Sequence, residues 1–201
     1  MSRNVAVFGL GSMGYGVAQS CLRSGHTTWG ADVRPGPVAK LQAEGAQSGA
    51  MVPGDLDTAV LVVLNAAQTE AVLFGPDGIV PGMKAGAVVI SCATVPPDFA
   101  RDMAARAAEH GVLYLDAPIS GGAVKAAQGQ LSVMAAGSAE AFAAGHPVLD
   151  AIAETVFELG DVGAGSAMKA VNQLLAGVHI ATMAEALTFG MTQGVAPEQF
   201  V

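Results

Sequence analysis

Short apolar runs alternate along the first half of the chain with longer stretches whose apolar residues recur at helical spacing. Val5–Phe8, Thr27–Ala31, Ala59–Leu64, Ala87–Ser91 and Val112–Leu115 are the runs, and most are dense in β-branched residues. They read as strands buried on both faces, as in a parallel sheet. Helices are expected from about Ser12 to Ser24, stopped by Gly25, and from Pro35 to about Glu44, stopped by Gly45. A short helix is expected over Thr69–Leu73, and a longer one from Pro97 to about His110. Gln47–Met51 reads as a third, short strand, and Gly75–Gly86 as a loop. Strand and helix in repeated alternation predict an α/β chain, a doubly wound, mostly parallel sheet with right-handed crossovers.

The pattern changes after Asp116. Ala117–Gly122 reads as a flexible turn rich in donors, Leu131–Ala136 as a strand, Ala139–Ile152 as a helix and Val156–Leu159 as a last strand. From Gly165 to about Gly190 only Gly177 interrupts a long helix. That helix is apolar nearly all round, so it is expected to be buried between domains or subunits. Val195–Glu198 reads as a further helix start with Pro197 near its first turn. A helix start with almost no body before Val201 is the pattern expected of a chain that continues into a helical C-terminal domain.

The first strand runs without a gap into Gly9-Leu10-Gly11-Ser12-Met13-Gly14, which fits G-x-G-x-x-G. Each glycine has a mechanical job. Gly9 allows the tight turn out of the strand, Gly11 lets a pyrophosphate approach the backbone, and Gly14 lets the next helix pack closely. The helix N-terminus supplies free N–H groups and a positive dipole end for the phosphates. Asp32 ends the second strand about 20 residues on, where a carboxylate accepts from ribose hydroxyls. Strand, loop, helix, strand and acid in this order predict a Rossmann-type dinucleotide site. Gly9, Leu10, Gly11, Ser12, Met13, Gly14, Asp32, Val33 and Arg34 are its candidate residues, and NAD the expected cofactor. Arg34 is also a possible contact for a 2′-phosphate.

Composition removes several alternatives. Apolar residues make up 52% of the 201 and charged residues 13%, a globular α/β balance. The net charge of −8 and the lack of a basic run argue against a nucleic-acid partner. No export signal is read at the N-terminus. The stretch Lys169–Glu185 holds Asn172, Gln173 and His179 and reads as too short to span a membrane. A cytoplasmic location is therefore expected. The two cysteines, Cys21 and Cys92, form no C-x-x-C pair, and no zinc-ligand spacing or P-loop occurs.

Ligands of open parallel sheets bind at the carboxyl ends of the strands. Leu64, Asn65, Thr94 and Ser120-Gly121-Gly122 all fall at such ends, with the glycine loop and Asp32. Thr94 reads either as a donor to the nicotinamide or its ribose, or as an ordinary turn threonine. Ser120, Gly121 and Gly122 offer a hydroxyl and backbone N–H groups to a carboxylate, or simply make a glycine turn. Lys169 is the lone cation of its helix, with Asn172 and Gln173 at i+3 and i+4 on the same face. It reads either as a general base whose pKa burial depresses, or as a lysine carrying its ammonium to solvent. His26, His110, His146 and His179 have no carboxylate read nearby in sequence. They read as structural, with His179 near enough to Lys169 to line a site. Asp116 reads as a cap for its own strand end.

Three motifs together resemble the 3-hydroxyisobutyrate dehydrogenase-related family of β-hydroxyacid dehydrogenases. They are FGLGSMGYGVA (Phe8–Ala18), DAPISGG with the later GQLSVMAAG (Asp116–Gly137), and GAGSAMKAVNQ (Gly163–Gln173). The resemblance implies that the first motif binds NAD, the second holds a substrate carboxylate through Ser120, Gly121 and Gly122, and Lys169 is catalytic. It implies cofactor contacts for Leu64, Asn65 and Thr94, and substrate contacts for Asn172 and Gln173. Many members carry two asparagines where this chain has Asn172 and Gln173, which hints at a different substrate. The runs GSMGYGVAQSCLRSGHTTWGAD and NQLLAGVHIA are similar to a branch that oxidises a sugar acid to its 2-oxo acid. The implied organisation is an NAD-binding domain over 1–162, then 163–201 as an interdomain helix opening an all-helical domain, with oligomers forming through that helical part. Imine reduction and cofactor binding without catalysis share the fold, but in those relatives another residue takes the place of the lysine.

Overall fold

A computed structural model describes residues 2–200; Met1 and Val201, the outermost positions of the two expected segments, lie outside the described residues. The chain opens with β1 (Asn4–Phe8), α1 (Gly14–Arg23), β2 (Thr27–Ala31) and α2 (Pro35–Ala43). It continues through β3 (Thr58–Leu61), α3 (Ala66–Phe74), β4 (Val88–Ser91), α4 (Pro97–Glu109) and β5 (Leu113–Asp116). These five strands form one parallel sheet in the order β2-β1-β3-β4-β5. The order reverses between β1 and β3, and such a switch point leaves a crevice beyond the strand ends.

Alternation along the strands builds the core. Val5, Val7, Val60, Ile90 and Leu115 turn to one face, where Val17 and Cys21 of α1 pack. Phe8, Leu61, Val89 and Tyr114 turn to the other, under Leu73 of α3 and Met103 of α4. Side chains of successive strand residues point to opposite faces, so a run apolar at every position is buried on both.

The second part is β6 (Ile119–Ser120), α5 (Gly122–Gln128), β7 (Leu131–Ala135), α6 (Ala139–Ile152), β8 (Ala153–Glu158) and α7 (Ala164–Thr192). β7 pairs antiparallel with β6 and parallel with β8 in a separate three-stranded sheet. An antiparallel bridge between Asp116 and Ala136 ties it to the end of β5. Phe142, Leu149 and Ile152 of α6 return to the first core, beside α1.

Several expectations are corrected. Gln47–Met51 is not a strand: the Gln47 N–H donates to Thr28 O at 2.8 Å and the ladder stops there. Residues 47–50 are exposed, and Ser48 and Gly49 give the segment nothing to bury. The turn expected over Ala117–Gly122 holds a short strand, and α5 starts at its last residue and closes on Gly129 in the left-handed region. The long helix runs 29 residues from Ala164 to Thr192, so its most apolar window, mean hydropathy 1.4, is long and apolar enough by these measures to cross a membrane. Neither Gly177 nor Gly190 breaks it, and the reading of that stretch as too short is corrected. Nor is α7 buried in this chain. Beyond its first turns Leu174, Ile180 and Phe189 are 67%, 73% and 68% exposed. Pro197–Gln199 is a single 3-10 turn.

Candidate active site

The turn from β1 into α1 is built by glycine geometry. Gly9 has φ +90°, and a Cβ there would lie 2.5 Å from Val62 O. A Cβ on Gly14 would lie 1.8 Å from Gly9 O, so the start of α1 is pressed against the turn. Gly11 differs: a Cβ there would meet nothing within 4 Å. Its open side faces a cleft of about 630 Å³ lined by Gly9, Gly11, Asp32, Val33 and Arg34 on one wall and Val62–Leu64 with Val72 on the other. Among the described residues the N–H groups of Gly11, Ser12 and Met13 have no protein acceptor. Free donors at a helix start, with space in front of them, fit a pyrophosphate.

Asp32 is held from both sides. Its Oδ2 accepts from the Leu10 N–H at 2.8 Å, and its Oδ1 accepts from the Arg34 N–H at 2.9 Å and Nε at 3.0 Å. The Arg34 guanidinium, then desolvation opposing it, then the backbone donors act on the carboxyl, and the net effect pulls its pKa down to about 2. Arg34 is turned onto Asp32 and also lines a smaller adjoining pocket with Ser12, Tyr15 and Lys40. A carboxylate at this position suits free ribose hydroxyls and repels a 2′-phosphate, while Arg34 is already neutralised.

The other strand ends are less uniform. Leu64 lines the cleft and is exposed. Asn65 is the N-cap of α3: its Oδ1 accepts from the Gln68 N–H at 3.0 Å. Gln68 returns its Oε1 to the Leu64 N–H at 2.9 Å and lines the cleft, a residue the sequence reading missed. The signal was there, since N-x-x-Q is a capping-box pattern. Thr94 is exposed at the end of β4 and does not line the cleft. Ser120 pairs with Ser132 at the edge of the second sheet, and Gly121 and Gly122 follow with φ +134° and +75°.

Asp116 does not cap its own strand. Its carboxylate, 1% exposed, reaches the start of α7. Oδ2 accepts from the N–H groups of Gly163 at 3.0 Å and Ser166 at 2.8 Å, and Oδ1 accepts from Ser166 Oγ at 2.6 Å. The N-cap residue of α7, Gly163, has no side chain to do this itself. Lys169 follows Ser166 by three residues and is 7% exposed. No hydrogen bond or ion pair to its Nζ exists among the described residues, and burial pulls the ammonium below the ordinary lysine range. Asn172 is half-buried and Gln173 exposed, one donating to the other at 3.4 Å. The face of α7 therefore turns outward within one turn of Lys169.

The histidines lie elsewhere. His26 Nε2 is 3.0 Å from Pro147 O, and its Nδ1 accepts from the Arg3 N–H at 3.2 Å. His146 does have carboxylate neighbours, Asp150 at 3.9 Å and Glu158 at 3.5 Å, a correction that one helical turn in α6 and the return of β8 explain. His179 is exposed on α7.

The chain is similar to known dehydrogenases along its whole described length. Residues 4–160 match the NAD binding domain of 6-phosphogluconate dehydrogenase. Residues 163–201 match the family described as NAD-binding of NADP-dependent 3-hydroxyisobutyrate dehydrogenase. The chain is 49% identical to an L-threonate dehydrogenase of Cupriavidus necator, over 98% of this chain and 68% of the relative. It is 46% identical to one of Haemophilus influenzae, over 96% of this chain and 65% of the relative. The crystal structure of a 3-hydroxyisobutyrate dehydrogenase from Salmonella typhimurium superposes with a TM-score of 0.88 at 48% identity, covering 96% of this chain and 69% of that one. This chain thus spans about two thirds of the length of these relatives.

Proposed function

Since the chain belongs to the 3-hydroxyisobutyrate dehydrogenase-related family of β-hydroxyacid dehydrogenases, we propose that it oxidises a small hydroxyacid with NAD, a sugar acid such as L-threonate being the substrate. The observation that carries this reading is Lys169: a buried, unpaired amine one turn into a helix anchored at the carboxyl edge of the sheet. The same edge carries the glycine loop and Asp32. Identity of 43–49% to L-threonate dehydrogenases supports the substrate class.

In this reading the glycine loop and Asp32 bind the dinucleotide, with Leu64 beside it in the cleft, Thr94 reached only by a part of the cofactor that extends past the cleft, and Asn65 acting through the cap it gives α3. Ser120 and the N–H groups of Gly121 and Gly122 hold the substrate carboxylate. Asn172 and Gln173 donate to its remaining hydroxyls. Lys169 Nζ, in the neutral form that burial favours over the ammonium, takes the proton of the reacting hydroxyl as the C=O bond forms. NAD, held by the glycine loop and Asp32, would supply the acceptor for the hydride that leaves the same carbon. Residues 1–162 hold the cofactor, and 163–201 begin a helical part through whose apolar face copies associate. Polar Lys169, Asn172 and Gln173 within α7 favour a protein neighbour over lipid, and with it a cytoplasmic setting.

The test is a panel of hydroxyacids, L-threonate, 3-hydroxyisobutyrate and glycerate among them, given to the intact protein with NAD and with NADP while nicotinamide absorbance is followed. The expected result is the highest kcat/KM for L-threonate with NAD. A preference for 3-hydroxyisobutyrate would reassign the substrate, and no turnover of any hydroxyacid would leave a binding module.

A further inference from the structure

We propose that Asp116 is a positioning residue for Lys169: by capping the first turn of α7 from the end of β5, it sets where the amine stands relative to the substrate turn. The inference rests on the reading of Lys169 as the base. Three observations carry it.

The cap is made in trans. Gly163, with φ +99°, gives α7 no side-chain cap, and the donors of the first turn are met instead by a carboxylate 47 and 50 residues away in the chain. All three bonds are buried, and both carboxylate oxygens are used. Donors to one acceptor group from Gly163 N, Ser166 N and Ser166 Oγ fix the rotation of the helix about its axis as well as its height. A single bond would leave rotation free.

The approach is close. A Cβ on Gly165 would lie 2.3 Å from Asp116 O and 2.5 Å from Met134 O. The helix start is therefore seated on the ends of β5 and β7 with no slack. Gly165, Ser166 and Lys169 are the buried residues of α7, and they share one face at i, i+1 and i+4. Movement at the cap is thus passed directly to Lys169.

The same residue also anchors the other half of the site. Asp116 N and O exchange hydrogen bonds with Ala136 O and N, each at 2.9 Å, and the chain runs from it straight into Ala117–Gly122. The backbone of Asp116 therefore sets the origin of the substrate turn while its side chain sets the origin of the lysine helix. Its residue type follows: Asn would keep one acceptor oxygen but turn an amide toward a donor, and Ala would leave two buried N–H groups unmet.

The experiment compares Asp116→Asn, Ser166→Ala, Lys169→Ala and the double variant Asp116→Asn/Lys169→Ala in the intact protein. Kinetics use L-threonate with NAD, NADH binding is followed by fluorescence, and Lys169 labelling by trinitrobenzenesulfonate is followed by peptide mapping. Asp116→Asn is expected to lower kcat about 10- to 100-fold, as a displacement near 1 Å does, with KM and NADH affinity within about threefold. Ser166→Ala, the milder change, should follow in the same direction. In the Lys169→Ala background Asp116→Asn should cost no further rate, because it acts through the amine. An equal loss in both backgrounds, or a parallel loss of NADH binding, would reduce Asp116 to a general structural role and overturn the proposal. If Lys169→Ala itself keeps its rate, the base reading fails, and labelling then decides the clamp alone. Faster labelling of Lys169 in Asp116→Asn sustains it, and an unchanged rate overturns it.

Discussion

Lys169 and Asp32 are the two residues whose surroundings most constrain what they can do. Burial pulls the Lys169 ammonium below its ordinary range, so the neutral base gains population as pH rises. The kcat for oxidation should climb with pH along a limb centred below the ordinary lysine value, and Lys169→Ala should remove that limb. A general base contributes about 10²–10⁴ in rate, about 3–5.5 kcal/mol of barrier, so Lys169→Ala should lower kcat by that order while NADH binding holds. Lys169→Arg should be nearly as damaging, because guanidinium does not give up its proton. Steady-state kinetics beside fluorescence titration checks both. For Asp32 the folded carboxyl titrates near 2, below the unfolded value near 3.9, so its stabilisation is present above about pH 4 and lost as pH falls toward 2. The difference in urea midpoint between wild type and Asp32→Ala should stay level from pH 8 to 5 and close between about 4 and 2. Removing the carboxylate also frees Arg34. Asp32→Ala should therefore move the NAD/NADP ratio of kcat/KM toward NADP by roughly 10- to 100-fold, the scale of a charged hydrogen bond lost or gained.

At the scale of the element, the loop between β1 and α1 separates folding from binding within one motif. Gly14→Ala puts a Cβ 1.8 Å from a carbonyl oxygen that cannot move away, and overpacking of this kind costs about 1–3 kcal/mol or more. Gly11→Ala meets nothing within 4 Å. It should leave the thermal midpoint nearly unchanged and yet weaken NADH binding about tenfold or more, since its methyl group fills the space in which a phosphate would meet the N–H groups. Thermal melts and NADH titrations of the two variants check this. A fall in stability for Gly11→Ala equal to that for Gly14→Ala would mean that the loop is a fold element only.

At the scale of the whole molecule, the longest exposed apolar face among the described residues is that of α7. Its first turn is sealed onto the ends of β5 and β7, but Leu174, Leu175, Val178, Ile180, Met183 and Phe189 are all at least half exposed. Apolar area on this scale marks an interface. In sizing experiments the 201-residue chain should run as an oligomer or aggregate, and Leu174→Glu with Ile180→Glu should shift it toward monomer without loss of NADH binding. A monomer in the wild-type chain would show that the exposed face carries no association.

What the sequence determined by itself was local. The five-strand alternation, the glycine loop, the acid at the end of β2 and α6 from Ala139 to Ile152 follow from periodicity, caps and breakers, all of which act within a few residues. The family motifs added the expectation for Lys169. Local reading failed where the deciding partner is distant. Gln47–Met51 stands where the alternation of elements puts a strand after α2, yet pairing needs a whole neighbouring edge, and among the described residues its ladder contact is the one bond to Thr28 O. The helix that starts at Gly122 follows residues that read as a turn, and it exists because α1 gives it a surface: a Cβ on Gly16 would lie 2.5 Å from Ala127 N, and Ser20 Oγ donates to Ala126 O at 2.9 Å. Asp116 read as a strand-end cap because nothing near it in sequence needs an acceptor. Only the tertiary structure brings Gly163 and Ser166 to its carboxylate, because satisfaction of buried donors is settled by what the fold leaves within hydrogen-bond reach, not by order along the chain.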